Sequence, residues 1–345
     1  MSAARVSEGV FLAVSLRAIV NMESLNMAES VGNVTKHRRA PVVFQDEDGS
    51  YRVVYVPVVS GMSLAHHYQL HLARAASRAG LPVAGIHLEG YFLKYASDDI
   101  IRNYYPEVSG LVDKKKGPCH NERVIVERDI VADVGGFLYT DGLVKRTSRF
   151  SFGYMVPALD AIGATAVYPQ LHVRYTPEAR GEGDQALIYV DAGSALYTLS
   201  YILDAGEVSR LGTCRAMRQE PSDLGAGERA RRVRAAVEAL VAMLGNMAFG
   251  AKRSRVLPHW RIQSLVAVAS SGIAPFVPSP GHSRGYLRET LERLRAQRRA
   301  VKGLEAAVHY FDAEGLGEAE GATRHSTPED AIVAAASWVL ERLEA

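Results

Sequence analysis

The segment from Val10 to Val20 constrains the fold of this chain more than any other stretch. Its sequence, VFLAVSLRAIV, places Leu12, Val14 and Leu16 on one side of an extended backbone and the alternate residues on the other. Successive side chains of a β-strand point to opposite faces, so this alternation predicts a strand. We therefore expect the chain to organise a sheet around this segment.

A polar, asparagine-rich loop and a compact cluster of cations are predicted after this strand. The cluster is Lys36-His37-Arg38-Arg39, and Pro41 closes it because the residue before a proline is pushed towards extended geometry. Amides, hydroxyls and guanidinium groups at one rim suit a phosphodiester backbone better than a small reactive substrate. A solvated basic loop is the competing interpretation. The candidate contacts in this stretch are Asn21, Asn26, Asn33, Lys36, His37, Arg38 and Arg39.

Bulk composition excludes several classes of protein. A chain of 345 residues can bury a large core, but its net charge of +2 is too small to indicate nucleic-acid binding except through local clusters. Cys119 and Cys214 lie far apart without CxxC spacing, which argues against a disulfide framework and fits a reducing cytosol. Neither a signal peptide nor an apolar run of about 20 residues is present, which predicts a soluble, cytoplasmic protein with no membrane partner.

A second anion site is predicted where a strand, from Tyr51 to Val59, runs into a helix. Ser60-Gly61-Met62-Ser63 begins that helix, with Ser63 as the expected N-cap, and Gly80 ends it. The free amides and positive dipole end of a helix start favour an anion, although an ordinary capped helix also explains the pattern. The GxxxxGK[ST] loop is absent, so nucleotide hydrolysis has no support. The candidates here are Ser60, Ser63 and His66.

Two further cationic groups follow. Strand-like alternation before Phe152 places Lys145 and Arg149 on a donor-rich face and Arg146 on the other. One polar face beside a partly apolar one suits a sheet that contacts an RNA backbone. A third basic loop spans residues 250–255. The candidates in these groups are Lys145, Arg146, Arg149, Lys252, Arg253 and Arg255.

The remaining segments indicate an α+β fold. Residues 81–135 are interpreted as an irregular insertion that contains a possible strand at 124–134. A protruding hairpin with the turn TPEARGEGD is predicted over residues 168–192, followed by a strand at 194–204 that returns to the core sheet. Helices are predicted over residues 228–245, whose arginines are expected to be solvated, and over 284–303 and 328–343.

Four segments of the chain, in this order, resemble one known family. NMESLNMAESVGNVTKHRRAPVV (residues 21–43) is similar to the N-terminal signature of the CRISPR-associated DevR family, in its archaeal type I-A branch. The later segments are VPVVSGMSLAHHYQ, GFLYTDGLVKRTSRFSFGYMVPA and GNMAFGAKRSRVLPHW. The first motif is specific, whereas the others carry weight mainly through their order. The resemblance covers roughly residues 8 to 260.

The resemblance implies a particular α+β fold. Members of this family have a modified RRM-like (ferredoxin-like) core with large insertions, likened to a palm, fingers and a thumb. In this chain that implies a single elaborated domain over residues 1–345. Residues 81–135 would form an inserted finger-like region, 168–192 a thumb-like hairpin, and 205–345 a helix-rich C-terminal part that completes the core.

The resemblance also implies a function. Such proteins form the repeated backbone of the Cascade surveillance complex: they grip the crRNA sugar–phosphate backbone without reading its sequence and assemble head to tail into a helical filament. The guide is then presented to target DNA, and specificity is left to base pairing. The implied partners are crRNA, target DNA, further copies of the chain, and the tail, large, small and helicase-nuclease subunits. Neither a cofactor nor enzymatic activity is implied. Phe152 and Met155 are candidates for apolar contact with a displaced base.

Other functions are open to the same residues. The family's historical label invites a DNA-binding autoregulator, but the Arg-rich helix at 228–245 has no partner across a short glycine turn. An RNA-processing ribonuclease would need only a well-placed His37, His66 or His172, yet no aspartate lies between residues 21 and 44 to act as in type III relatives. His67 and His71 have zinc-pair spacing but no evident third ligand, so no metal is expected. GHSRG matches the GxSxG of hydrolases, but prolines precede it where a strand is needed.

Overall fold

The computed structural model describes residues 9–46, 48–174 and 186–344. Its strands are β1 (Gly9–Glu23), β2 (Met27–Val31), β3 (Val34–His37), β4 (Arg39–Gln45), β5 (Tyr51–Pro57), β6 (Phe137–Tyr139), β7 (Val144–Arg146), β8 (Phe150–Phe152), β9 (Val156–Pro157), β10 (Ala166–Arg174), β11 (Ala186–Asp204), β12 (His259–Gly272), β13 (Glu305–Asp312) and β14 (Thr323–His325). Its helices are α1 (Gly61–Arg78), α2 (Gly85–Leu88), α3 (Asp98–Tyr104), α4 (Gly117–Arg128), α5 (Ile130–Gly135), α6 (Gly212–Ala216), α7 (Ala226–Gly245), α8 (Tyr286–Ala300) and α9 (Pro328–Glu344).

The predicted first strand is confirmed and lies inside the main sheet. β1 runs antiparallel to both β11 and β12, so that Leu16 lies opposite Leu199 on one side and Leu265 on the other. The sheet has the order β14-β13-β12-β1-β11-β3-β2, and β8, β9 and β10 also pair with β11. The architecture is therefore a mixed α/β fold around one large sheet.

Helices cover both faces of this sheet. On one face the apolar row that includes Leu12 and Val14 packs against α1, α7 and α9 in the largest core cluster. On the other face Val266 and Val268 of β12 pack against α8. Because alternate residues of β12 enter different cores, the two sides of the sheet are buried independently. The sheet face beneath α8 is therefore covered by the protein's own side chains.

The predicted irregular insertion at residues 81–135 is instead largely helical. The expected strand at 124–134 is wrong, since this stretch lies in α4 and α5. Val124, Ile125 and Val126 are buried in a separate core cluster, and that tertiary burial outweighs the strand preference of branched residues. Asp129 ends one helix and caps the next by accepting from the backbone N–H groups of Val131 and Ala132.

The expectation of unpaired cysteines is also wrong. Cys119 of α4 and Cys214 of α6 form a disulfide, and their Cα atoms are 4.6 Å apart. They are separated by 95 residues in the chain. Only the packing of α4 against α6 brings them together, and spacing along the sequence contains no sign of it.

The predicted hairpin at 168–192 corresponds to β10 and β11. They pair antiparallel from Ala166 opposite Ser194 to Arg174 opposite Ala186, while the expected turn at residues 176–184 lies outside the described residues. The predicted return strand at 194–204 is the second half of β11.

The three predicted C-terminal helices are present as α7, α8 and α9. The expectation that the arginines of α7 are solvated is wrong for Arg229 and Arg232, which are buried. Arg232 donates to Asp133 at 2.8 Å, beneath the helix. Within the described ranges, every helix is too short or too polar to span a bilayer.

Candidate nucleic-acid interface

A groove of about 830 Å³ opens between the β2–β3 hairpin and the base of the β10–β11 hairpin. The two hairpins meet where Val34 of β3 lies alongside Tyr189 of β11 in a parallel pair. This β2–β3 groove is lined by Ala28, Glu29, Val34, Lys36, His37, Arg39, Pro169, Tyr189 and Asp191. It thus contains three of the four residues of the predicted cation cluster.

The predicted asparagine-rich loop is wrong, because most of that stretch forms β2 and β3. Asn33 is exposed in the turn between them, beside Gly32, whose positive φ of 59° suits a residue without a side chain. Asn21 is exposed near the end of β1. Asn26 is not free, since its side-chain oxygen accepts from the backbone N–H of Ser60 at 2.9 Å. Asn26 therefore ties the hairpin to the start of α1.

The cation cluster divides into exposed and buried members. Lys36 and Arg39 are exposed, whereas His37 between them is buried. His37 Nε2 lies 2.7 Å from a carboxylate oxygen of Glu23. The prediction that His37 grips a ligand is therefore contradicted, because its ring is occupied inside the protein. Lys36 and Arg39 remain as side chains that a phosphate can reach.

The Glu23–His37 pair shifts the pKa of both partners. Burial alone would lower the pKa of His37, but its hydrogen bond to Glu23 and the charge of that carboxylate outweigh burial and raise the pKa. Burial alone would raise the pKa of Glu23, and the bonded His37 outweighs it and lowers the pKa. Each partner thus stabilises the charged form of the other at the base of the groove.

Arg38 is half-buried and its backbone joins three segments. Its N–H donates to the carbonyl of Asn26 at 2.8 Å, and its own carbonyl accepts from Val58 at 3.0 Å. The guanidinium Nε atoms of Arg38 and Arg253 are buried without a hydrogen-bond partner among the residues described. Buried donors of this kind favour an acceptor from outside the chain.

The start of α1 differs from the prediction in its cap. Ser60, not Ser63, is the N-cap, and its hydroxyl oxygen accepts from the N–H of Ser63 at 3.2 Å. Ser60 is buried, so its side chain is not available to a ligand, while Ser63 is half-buried. Gly61 is required by close approach, since a Cβ there would lie 2.6 Å from the carbonyl oxygen of Phe152. His66 is exposed one turn further along.

The third basic loop, residues 250–255, lies beside this helix start. Ala251 N–H donates to the carbonyl of Leu25 at 2.8 Å, and Gly250 N–H approaches His67 Nδ1 at 3.5 Å. Lys252 and Arg253 are half-buried. Burial and, to a smaller degree, the nearby charges, including that of Arg253, lower the pKa of His67. Arg255 of this loop is exposed. The loop therefore adds cations to the side of α1 that Asn26 already contacts.

The second cationic group does not join this surface. Arg146 is buried and pairs with Asp133 and, at 3.1 Å, with Glu122, which contradicts its predicted contact with RNA. Its burial follows from the alternation that leaves Lys145 exposed. Arg149 is half-buried near Glu207, at 3.7 Å, and burial lowers its pKa. Arg146 therefore joins α4 and α5 to β7 through its two buried ion pairs.

Phe152 and Met155, predicted to contact a displaced base, point into the protein interior instead. Met155 is fully buried, and Phe152 packs its ring 4.9 Å from that of Tyr201. Near Phe152, Met62 is 84% exposed and Tyr154 is 49% exposed. Neither residue is among the apolar contacts predicted from the sequence. Met62 could have been found, because it falls outside the apolar helical spacing of Leu64, Tyr68 and Leu72.

An exposed two-stranded ribbon extends from the groove. Among the residues that the structure describes, β4 and β5 pair with each other and with no further strand, and Arg39 at the groove begins β4. Val43 lies opposite Val53, and Tyr55 lies two residues further along β5 on the same face. These three side chains are each more than half exposed. We call this surface the β4–β5 ribbon. Throughout the described ranges, no group of three or more His, Cys, Asp or Glu side chains could hold a metal ion.

Comparison with known proteins identifies the family. The family model described as "CRISPR-associated negative auto-regulator DevR/Csa2" matches residues 14–291. Two relatives from Saccharolobus solfataricus are similar to this chain. The "CRISPR-associated aCascade subunit Cas7/Csa2 2" is 39% identical over 92% of this chain and 97% of its own length. The "CRISPR-associated protein Cas7/Csa2 1" is 36% identical over 81% of this chain and 85% of its own length.

Solved structures share the fold. A chain of a "CRISPR RNA-guided surveillance complex" aligns with 95% of this chain and 99% of its own length, with a TM-score of 0.52 and 11% identity. A chain of a "CRISPR RNA-guided surveillance complex, pre-nicking" aligns with a TM-score of 0.56 and 10% identity, over 95% of this chain and all of its own. With the family match across most of the sequence, the conclusion is direct: the chain belongs to the DevR/Csa2 family of CRISPR-associated proteins.

Proposed function

We propose that this chain is the backbone subunit of a type I-A Cascade complex and that it binds the crRNA sugar–phosphate backbone without sequence preference. The observation that supports this most directly is the β2–β3 groove, in which Lys36 and Arg39 are exposed on either side of the buried His37. A relative named as an aCascade subunit, 39% identical over nearly its whole length, supports the same assignment.

The chemistry of the groove favours phosphates over base edges. Lysine and arginine side chains contact phosphates irrespective of sequence, and such contacts position a nucleic acid without reading it. The buried Glu23–His37 pair fixes the end of β3, from which Lys36 projects, and Arg39 begins β4 two residues after His37. The half-buried Lys252 and Arg253, beside the start of α1, extend the positive surface. Sequence recognition is then left to pairing between guide and target DNA.

The strand connectivity supports a ferredoxin-like, RRM-like core. β1, α1, β10, β11, α7 and β12 follow a βαββαβ order, and the corresponding strands lie in the order β12-β1-β11-β10. Within a single domain over residues 1–345, the helices between residues 81 and 135 would be the fingers. The β10–β11 hairpin would be the thumb, and residues 205–345 would complete the core.

The proposed assembly is a head-to-tail filament of this chain with other Cascade subunits. A heterologous contact that does not close produces an open helix rather than a ring. The β4–β5 ribbon, with Val43, Val53 and Tyr55 exposed, is the surface that we assign to contact with the next copy. Exposed apolar ribbons with free edges are suited to such contacts.

The proposed role is binding rather than catalysis. Of the three histidines that a ribonuclease could use, His37 is buried against Glu23. His66 remains exposed, and its ring contacts that of Phe92 edge-on at 5.2 Å. We therefore expect bound RNA to stay intact, and a ribonuclease would instead yield shortened products that disappear on His66→Ala.

The test is an RNA-binding titration with the Lys36→Gln/Arg39→Gln variant. Fluorescence anisotropy with two unrelated 40-nucleotide single strands is measured from 50 to 200 mM salt. Loss of two phosphate contacts is expected to weaken the binding of both RNAs equally. It should also reduce the slope of log binding constant against log salt concentration by about 1.4 units. The matched control is Arg231→Gln/Arg234→Gln, which removes the same charge from exposed arginines of α7.

Two outcomes contradict the proposal. Unchanged RNA affinity of the Lys36→Gln/Arg39→Gln variant would remove the groove from the site. Tight binding of one particular duplex DNA, with no affinity for single-stranded RNA, would support the autoregulator instead. Nucleic acid that copurifies with the unmodified protein gives an independent check, since heterogeneous intact RNA is expected.

A further inference from the structure

Residues 284–302 carry an unusual concentration of positive charge. This stretch holds seven lysines and arginines and two glutamates, a net charge of +5, whereas the whole chain has only +2. The rest of the chain is therefore negative overall, by three charges. Positive charge that is concentrated in one segment of an otherwise negative chain indicates a surface that binds a polyanion.

The geometry of α8 gathers part of this charge into one stripe. Leu287, Leu291 and Leu294 face the sheet and pack in the third core cluster. Arg288 and Arg295 are seven residues apart, and Arg299 is four further on. At 3.6 residues per turn these three side chains fall within about 20° of one line, which is about 16 Å long. All three are exposed.

The charges of this stripe are only weakly neutralised. Arg288 lies 4.0 Å from Glu292, where both side chains are largely exposed, and such pairs contribute little. Arg295 donates to the backbone carbonyl of Glu320 rather than to its carboxylate. In the described part of the chain, no carboxylate lies within ion-pair distance of Arg295 or Arg299. The stripe is most strongly positive towards its C-terminal half, because Glu292, Glu318 and Glu320 border the cleft at the other half.

Helix stability explains only part of this pattern. Cations in the last turn of a helix interact favourably with its dipole, which accounts for Arg298 and Arg299. Arg288 lies in the first turn, where the dipole disfavours a cation. Arg293, by contrast, is structural, since it donates to Ser279 Oγ at 2.9 Å and lies over the ring of Phe276.

The absence of stacking groups indicates which nucleic acid fits. Proteins that hold single strands combine cations with exposed aromatic rings, on which successive bases stack. The one aromatic residue of α8, Tyr286, is buried, and the stripe offers only charged and polar side chains. A duplex hides its bases and presents a ridge of phosphates, so it requires only the cations.

We propose that Arg288, Arg295 and Arg299 form a second nucleic-acid surface, which binds the phosphate backbone of a duplex without sequence preference. This surface shares no residue with the β2–β3 groove, and α8 packs on the sheet face opposite to α1, whose start Asn26 joins to the β2–β3 hairpin. The inference therefore does not depend on the RNA-binding proposal, and the two can fail independently.

The test is a titration of the full chain with a 30-base-pair duplex DNA of arbitrary sequence between 50 and 200 mM salt. Arg288→Gln/Arg295→Gln/Arg299→Gln is expected to weaken duplex binding and to lower the salt slope by about two to three units. The control, Arg78→Gln/Arg231→Gln/Arg234→Gln, removes three exposed arginines that pair with glutamates elsewhere, and it should leave the slope unchanged.

Further measurements test whether the two surfaces bind different nucleic acids. The triple variant should retain its circular dichroism spectrum and its affinity for single-stranded RNA. Lys36→Gln/Arg39→Gln should lose affinity for single-stranded RNA and retain affinity for the duplex. A parent protein that does not bind the duplex would overturn the proposal. Equal losses of duplex affinity in the triple variant and its control would also overturn it. Competition by poly-glutamate that exceeds competition by duplex would overturn it in favour of an acidic protein partner.

Discussion

His37 Nε2 lies 2.7 Å from Glu23 Oε1, and both side chains are wholly buried where β1 and β3 end. Tyr197 donates its hydroxyl to the same carboxylate at 2.7 Å, and Leu25 N–H donates to it at 2.8 Å. Because successive residues of a strand point in opposite directions, holding His37 inward turns Lys36 outward into the groove. The pair thus links the packing of the sheet to the proposed site.

The Glu23–His37 pair should make stability depend on pH. The folded-state pKa of His37 is raised above its ordinary value of 6.5, so its contribution is fully present below pH 6.5 and is lost as the pH rises through the raised value. We expect His37→Asn to lower the free energy of unfolding by about 3–5 kcal/mol at pH 6, since Glu23 then loses its charged partner. The difference from the parent protein should shrink towards pH 9 in urea unfolding.

The acid limb of the same profile provides a control. The pKa of Glu23 is lowered from 4.5, so its contribution is present above pH 4.5 and is lost as the pH falls through the lowered value. The free energy of unfolding of Glu23→Gln should therefore differ most from that of the parent above pH 4.5. A difference between His37→Asn and the parent that stays constant from pH 6 to pH 9 would contradict the ion pair.

Arg146 should matter for folding rather than for RNA. Its guanidinium pairs with Glu122 and Asp133, and all three side chains are almost fully buried. We expect Arg146→Gln to lower the free energy of unfolding by about 3–5 kcal/mol, because the buried Glu122 loses its cationic partner and the buried Asp133 keeps only Arg232 of its two paired arginines. Lys145→Gln, next to it on the exposed face of β7, is the matched control and should change stability by less than about 0.5 kcal/mol.

Urea unfolding and RNA anisotropy together distinguish the two roles of Arg146. The variant should bind RNA like the parent wherever it remains folded. A stable Arg146→Gln protein that has lost RNA affinity would instead support the contact expected from the sequence.

Periodic parts of the fold could be predicted from the sequence, and for a physical reason. β1 and helices α7 to α9 each repeat an apolar pattern over ten or more residues, and the hairpin at 168–192 shows two β-rich runs on either side of a turn sequence. Such patterns depend only on whether a face is buried. The order of the four motifs also identified the family, which the comparisons confirm. Neither inference requires knowledge of contacts between distant segments.

The orientation of charged residues could not be predicted in the same way. Lysine and arginine are usually exposed, so the sequence alone predicts Arg146 and Arg232 to be surface cations. Both instead pair with Asp133, which belongs to α5, where the sequence predicts a strand. Burial of a charge depends on a partner far along the chain, and a single sequence does not reveal which residue that is.

Reduction of the Cys119–Cys214 disulfide should destabilise the protein. The bond closes a loop across 95 residues, and loss of such a cross-link typically costs about 2–5 kcal/mol because the unfolded chain gains freedom. We expect a reductant to lower the urea midpoint of the parent protein. The same reductant should have no effect on Cys119→Ser/Cys214→Ser, which should already unfold at the lower midpoint. A parent midpoint that is indifferent to reductant, with two titratable thiols, would contradict the bond.

The β4–β5 ribbon should control self-association of the chain. Val53 and Tyr55 are 59% and 70% exposed on one face of a ribbon that pairs with no other strand among the described residues. Removing both apolar side chains should change the free energy of unfolding by less than about 0.5 kcal/mol, since neither supports the core. If they lie at the centre of a contact between copies, the same change should cost at least about 2 kcal/mol of association, or roughly 30-fold.

The measurement is light scattering of Val53→Ser/Tyr55→Ser in the presence of a long single-stranded RNA, across a range of protein concentrations. Tyr91→Ser is the matched control, because Tyr91 is 63% exposed and lies outside the ribbon. We expect the double variant to bind RNA as isolated copies while the parent and the control form long particles. Arg39 belongs to both the groove and the ribbon, so a change in the ribbon could also alter RNA binding. The RNA affinity of single copies is therefore measured separately, on an RNA too short to bind two copies. Particles of equal length from all three proteins would show that copies meet through another surface.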